Sequence, residues 1–433
     1  MQNRNEYLDT VCEQIRFKAA RKMIRGEIEA HIDDRIAEGK SEELAIAAMG
    51  DAVQTGRALN SVHRPRLEWR VLLCMLLLSA ASVFVTVCMT GYGNITFSNS
   101  IGALLRPMLA GVCAAAGIYF LNYSMLLHVR YVFYGAALFC AAAYCLFYDL
   151  LQPSSVMELL SQTFFFVVCP LLYFIGLIGI IEKYRGRGRK GIIIICVLSV
   201  LAIGTTYRIA ESCSFMLMIA LLSAAVPILG RSKRCINGII YATLIFAAYV
   251  ASSMLINYIY HFQSIDFSVD AANSQVADVL KSARLIGPSP FYMSEHAYDL
   301  ESSHTYYVMT GIIGAYGWLA GLGAALLSGG LYAWMLRRSL QVAHTYGRML
   351  ALGISGYFLA RFVLAMLTNL GLTESFCSLP FLSFGRFEYL ADAVLMGLFL
   401  SVWRRSTFMK DEARENAGKA SSCFGKIADT RLH

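Results

Sequence analysis

The chain has 433 residues, 57% of them hydrophobic and 15% charged, with a mean hydropathy of +0.55. A water-soluble domain cannot hide so much apolar surface, so the composition excludes a soluble enzyme and implies a membrane protein. The formal charge of +8 does not point to nucleic acid, because the cations gather in short loops between apolar runs.

Residues 1 to about 68 are polar and helical in pattern, and no cleavable signal peptide is expected at the start. Leu8, Val11, Cys12, Ile15, Ile24, Ile28, Ile32 and Ile36 recur every three or four residues, which predicts helices with one apolar stripe. GKSEELAIAAMGD then supplies a break, a Ser41 cap with acids in the first turn and a short helix, and Asp51 starts another through Leu59. No cluster of reactive side chains appears here, so a small bundle packed on itself is the expectation.

Ten apolar spans follow, near 70–90, 105–122, 131–149, 162–181, 191–207, 213–229, 236–258, 307–334, 347–369 and 388–403. Runs of about 17–25 apolar residues are long enough to cross roughly 30 Å of hydrocarbon. The basic segments EKYRGRGRK, GRSKR, RRSLQVAHTYGR and RRSTFMK fall on one side of successive spans, together with the N-terminus. Cations mark the cytoplasmic side, so both termini are expected inside and the long 259–305 loop outside. The expected fold is all-α: a ten-helix transmembrane domain at 69–405, preceded by a small cytoplasmic helical domain at 1–68 and followed by a tail at 406–433. Twelve cysteines, most of them within the spans and without metal-ligand spacing, read as small apolar residues.

The 259–305 loop mixes acids, cations and aromatics, and ends in SSHTYYVMTG, where an apolar run begins. A loop this long is usually functional or disordered, so it reads either as a grip on a polar lipid head group or as a solvated segment. Tyr306 and Tyr307 at this edge read most simply as interfacial belt residues. Within the spans, Arg361 and Asp392 are costly unless paired. They read as a structural ion pair or as groups facing a substrate. Arg106 lies near a membrane end, where its side chain can snorkel.

Two resemblances add to this reading. Residues 7–69 resemble the permease prefix domain found ahead of membrane modules in Firmicutes. The ten spans, the large loop before the eighth and three separated motifs resemble the SEDS family of FtsW, RodA and SpoVE. The motifs are QPS at 152–154 (QPSE in the family), KSARLIG at 281–287 leading into HT at 304–305 (QSxxAIGSGG in the family), and Asn369 followed by LPFLSFG at 379–385 (LPFISYGG in the family). The resemblance implies a membrane protein of peptidoglycan synthesis, acting in cell division, cell shape or sporulation in a bacterial plasma membrane. Its substrate would be the lipid-linked disaccharide-pentapeptide, and its partner a class B penicillin-binding transpeptidase or other division or elongation proteins.

Glycan polymerisation needs a general base near the acceptor sugar hydroxyl and positive charge near the leaving pyrophosphate. The family base is the aspartate of HTDFIF; this chain reads HTYYVM, with Tyr306 in that place. A phenol with an ordinary pKa near 10 is a poor base at neutral pH. The family's EELG is Gly314-Ala315-Tyr316-Gly317 here, Ser155 replaces the acid of QPSE, and Arg386, Phe387 and Glu388 follow Gly385. Glu301, Glu388 and His304 are the substitute candidates for the base. The substrate-binding candidates are His304, Thr305, Lys281, Arg284, Arg386, Ser383, Arg361 and Asp392. No metal-ligand set is read from the residues; a divalent Mg or Mn would serve if the protein is catalytic. Two functions stand: a polymerase with a relocated base, or a scaffold that binds the precursor or a cell-wall enzyme without catalysis. A transporter or flippase is a weaker third reading, with no internal repeat to favour it.

Overall fold

The computed structural model describes residues 3–16, 18–62, 73, 75–81, 83, 100–146, 155–229, 235–260, 267–290, 306–373, 377–383 and 386–406. The fold is all-α, and two compact units divide the chain, one of Met1–Leu67 with Trp403–His433 and the other of Glu68–Val402.

The first unit contains α1 (Arg4–Gln14), α2 (Lys18–Ala37), α3 (Glu42–Ala47) and α4 (Ala52–Val62). The apolar stripe closes on itself: Leu8, Val11, Ile15, Ile24, Ile28 and Ile32 are all buried, joined by Tyr7, Ala45, Ile46 and Ala52. Full burial of each large aliphatic chain contributes about 1.5–3 kcal/mol. Asp51 caps α4 by accepting the Gln54 N–H at 2.8 Å. Ser41 stands at the N-cap of α3, but its side chain makes no capping bond. The Arg4–Asp33 and Arg25–Asp9 pairs are exposed and add little.

The second unit contains helical residues 75–81, then α5 (Ser100–Phe120), a 3-10 turn (Tyr123–Leu127), α6 (Arg130–Leu146), α7 (Ser155–Tyr184), α8 (Gly188–Ile209), α9 (Glu211–Leu229), α10 (Cys235–Tyr260), α11 (Phe267–Ser282), α12 (Val308–Tyr316), α13 (Trp318–Ser339), α14 (Thr345–Asn369) and α15 (Arg386–Ser406). Among the described residues, five helices are long and apolar enough to cross a membrane, and Arg106–Phe120, Arg130–Leu146 and Glu211–Pro227 form shorter apolar helices. α14 lies at the centre, packed against α9, α13 and α7. A small residue permits the closest approach: a Cβ on Gly356 would meet the Ser223 Cβ at 2.8 Å, and Ser223 Oγ donates to the Leu352 carbonyl at 3.2 Å. Small interfacial residues replace the hydrophobic drive that lipid cannot supply.

The expected span 307–334 is not one helix. α12 stops at Tyr316, Gly317 adopts φ 96° and ψ 171°, and α13 starts at Trp318. Nine helical residues rise only about 14 Å, too short to cross the hydrocarbon. The cause lies in the preceding loop, whose backbone pairs with the break. Gly287 N–H donates to the Tyr316 carbonyl (3.0 Å), Ser289 N–H to Gly314 (2.7 Å), Trp318 N–H to Arg284 (3.0 Å) and Leu319 N–H to Leu285 (3.1 Å). Only glycine fits, since a Cβ at 317 would come within 2.7 Å of the Leu285 carbonyl oxygen. The loop also contains α11, a helix where the sequence suggests irregular structure; its Val276 and Leu280 pack against Tyr306 and Tyr307.

Candidate functional site

The site begins at the end of α14. Asn369 is fully buried, and its side-chain oxygen accepts the backbone N–H groups of Met309 and Thr310, each at 2.9 Å. Its amide nitrogen donates to the carbonyls of Tyr306 (2.8 Å) and Ala365 (2.7 Å). The first N–H groups of a helix have no partner within the helix; here a side chain from another helix supplies one. The Thr310 hydroxyl completes the knot by donating to the Asn369 carbonyl at 2.8 Å. Asn369 therefore fixes both the start of α12 and the backbone of Tyr306, two residues before it.

Two turns back along α14, Arg361 is buried and its Nη1 pairs with Asp392 Oδ1 of α15. Its Nη2 donates to the Ser378 hydroxyl at 2.5 Å and the Ser378 carbonyl at 3.2 Å, while the guanidinium lies 5.7 Å from the centre of the Tyr357 ring. The expected Arg361–Asp392 pair is present, and a serine that sequence reading passed over completes it. Such a pair persists in a low-dielectric interior only when its remaining polar groups are also satisfied.

The LPFLS turn stands beside this pair. Ser383 Oγ accepts the Leu379 N–H at 2.8 Å, and Tyr332 of α13 donates to the Pro380 carbonyl at 2.9 Å. Phe381 holds φ 61°, a left-handed conformation that costs a non-glycine residue roughly 1–3 kcal/mol. Its buried ring packs against Phe358 and Tyr389, which keeps the turn in place.

These elements border a partly open cavity of about 40 Å³, lined among others by Tyr306, Glu388, Arg361, Ser378, Cys213 and Ser212. That volume suits a few waters or a substrate hydroxyl group, not a whole disaccharide. Glu388 Oε2 is buried and meets no hydrogen-bond partner among the described residues. Burial pushes the Tyr306 phenol up to about 12, with the Glu388 charge adding to the effect. Tyr306 therefore keeps its proton at neutral pH. The expectation that Tyr306 and Tyr307 form an interfacial belt is corrected: Tyr307 is buried, and Tyr306 faces this cavity.

The cavity thus unites Tyr306, Glu388 and Arg361, with Asp392 behind the arginine. Ser383 holds the neighbouring turn. Lys281 and Arg284 are exposed near the end of α11 and do not line the cavity. Glu301, His304, Thr305 and the QPS stretch at 152–154 lie outside the described residues, as does the Arg386 side chain. Ser378, Tyr357 and Cys213 were missed; the spacing of Tyr357, one turn before Arg361, is the signal that was available. No group of three metal-ligating side chains occurs among the described residues. The cavity's one carboxylate, Glu388, shares it with the Arg361 guanidinium, a donor set that does not fit a divalent cation.

Comparison with solved structures decides the architecture. Wild-type RodA, the rod shape determining protein of Thermus thermophilus, matches with TM-score 0.52 and 16% identity over 78% of this chain and 97% of RodA. The membrane unit has the RodA fold. An aspartate-to-alanine variant of the same RodA gives TM-score 0.53 at 15% identity, covering 78% of this chain and 98% of RodA. A structure described as coordinating polymerization and crosslinking in a peptidoglycan synthase complex gives 0.52 at 17%, covering 78% and 98%. Ahead of the RodA fold, residues 6–57 match the HAAS family. No curated protein sequence matches the chain.

Proposed function

We propose that this chain is a SEDS-type protein of peptidoglycan synthesis that receives a sugar hydroxyl of the lipid-linked disaccharide-pentapeptide in the Tyr306–Glu388–Arg361 cavity. The observation that carries the reading is the buried Glu388 Oε2, without a hydrogen-bond partner among the described residues, on the wall that Tyr306 also lines, within a RodA fold. Tyr306 occupies the position where the family resemblance expects an aspartate, and Glu388 supplies a carboxylate to the same space from α15.

The chemistry follows from that substitution. Glu388 takes the proton of the acceptor hydroxyl as the hydroxyl oxygen bonds to the anomeric carbon of the donor sugar. The carbon–oxygen bond to the lipid pyrophosphate breaks, and the pyrophosphate leaves with the electron pair. Tyr306, which holds its proton, donates a hydrogen bond and orients the acceptor. Arg361 is committed to Asp392 and Ser378, so its role is to set the field around Glu388. Lys281, Arg284, Arg386, His304 and Thr305 are the candidates to offset pyrophosphate charge, and Glu301 and His304 are the alternative bases. The protein works in a bacterial plasma membrane with both termini cytoplasmic, beside a transpeptidase partner, the orientation resting on the basic loops.

The test is incubation of the purified full chain with lipid-linked precursor, alone and with a candidate transpeptidase, followed by separation of glycan chains by size. Polymer that disappears in Glu388→Gln supports the reading. Saturable precursor binding without polymer would replace the polymerase with a scaffold.

A further inference from the structure

A second polar cluster lies where α6 begins and α7 ends, well along α7 from Phe166 and Val167, through which that helix lines the Glu388 cavity. Arg130 and Tyr131 come from the first turn of α6, Lys183 and Tyr184 from the last turn of α7, and Arg187 from the turn that follows. Lys183 donates to the Tyr131 hydroxyl at 2.9 Å, and Tyr131 donates to the Tyr184 hydroxyl at 3.1 Å. The relay ends on the Tyr184 O–H, whose proton has no acceptor among the described residues.

The charges converge in the same way. Lys183 Nζ lies 4.9 Å and the Arg130 guanidinium 5.3 Å from the centre of the Tyr131 ring, and Arg187 lies 4.8 Å from that of Tyr184. Among the described residues no carboxylate pairs with these three cations; the neighbouring Glu182 is bound to Arg185 at 2.8 Å. Arg130 Nη1 donates to the Leu127 carbonyl at 2.7 Å, yet its buried Nε has no hydrogen-bond partner among the described residues. Like charges gathered over one ring repel, and an unmade buried donor costs free energy. An anion with several acceptor oxygens offsets the gathered charge.

We infer that this cluster binds the phosphate of an anionic phospholipid. Phosphate matches the chemistry, because it accepts from guanidinium, ammonium and phenol donors together. The lipid source follows from depth: the cluster caps two apolar helices, where head groups lie, and basic pockets between membrane helices suit such head groups. Cation–π contacts keep the lysine and arginine chains in place before the ligand arrives.

The test titrates the full chain in neutral detergent with phosphatidylglycerol, phosphatidylcholine or inorganic phosphate, reading retained lipid by native mass spectrometry and thermal shift. Phosphatidylglycerol should bind saturably and in preference to phosphatidylcholine. Lys183→Gln and Tyr184→Phe should each weaken it about tenfold, the first by losing a charge-assisted contact and the second by losing the open phenol donor. Tyr184→Phe keeps the ring packing and serves if Lys183→Gln fails to fold. Arg337→Gln, a basic residue at the end of α13, should leave binding unchanged. Equal loss in Arg337→Gln would reduce the effect to general basic charge and overturn the site. Equal binding of phosphatidylcholine, or equal potency of inorganic phosphate, would overturn the lipid assignment.

Discussion

The Asn369 amide holds the Tyr306 carbonyl at 2.8 Å while its oxygen caps the first turn of α12. One side chain thus ties the residue that lines the cavity to the helix carrying the arginine. Asn369→Ala leaves several buried backbone groups without partners and should cost on the order of 3 kcal/mol. Thermal unfolding in detergent should show the loss, with Thr310→Ala, which removes one donor, losing about a third as much. A drop no larger than that of an exposed control would contradict the role given to Asn369.

The Arg361–Asp392 pair predicts non-additivity. Arg361→Leu or Asp392→Leu alone leaves a buried charge and should cost about 3–5 kcal/mol. The double replacement should recover most of that loss, because neither charge remains. Additive losses in the unfolding midpoints would show that the two groups do not act as a pair.

Gly317→Ala forces a Cβ towards the Leu285 carbonyl oxygen in a left-handed-φ position. The conformational part alone costs about 1–2 kcal/mol. Gly323→Ala, inside α13 with nothing within 4 Å of the added Cβ, should instead be neutral or stabilising by up to about 1 kcal/mol. Equal behaviour of the two variants would show that the break at 317 is not enforced by the loop.

Much of this was legible in the sequence, and the reasons are physical. Hydropathy marked the expected spans from 105–122 to 388–403, each of which meets a helix. Arg361 and Asp392 stood out because ionisable groups are rare in such segments, and their pairing follows from cost. The break at Gly317 was hidden because TGIIGAYGWLAGLG is apolar on both sides of it; hydropathy measures transfer to lipid and is blind to backbone direction. α11 was missed although Val276, Val279 and Leu280 share helical spacing, since its polar faces read as loop. The cavity itself depends on α14, α15 and the start of α12 meeting, which no local pattern encodes.

Tyr306 gives a pH prediction. Its phenol moves from about 10 to about 12 on folding, chiefly through burial. A raised folded pKa contributes stability that is present below the unfolded value and is lost as pH rises through the folded one. The stability difference between wild type and Tyr306→Phe should therefore be flat below pH 10 and move against wild type between pH 10 and 12. Denaturation midpoints across that range measure it. A difference that already changes near neutral pH would mean that Tyr306 ionises there.

The most direct test of the central claim is polymerisation of lipid-linked precursor by wild type, Glu388→Gln and Tyr306→Phe, with glycan chains resolved by length. Wild type should form polymer, and Glu388→Gln should lose at least about a hundredfold in rate, the scale of a missing general base. Tyr306→Phe should retain measurable rate with weaker acceptor binding. Full activity in Glu388→Gln would contradict the assignment of Glu388 as the base that replaces the missing aspartate.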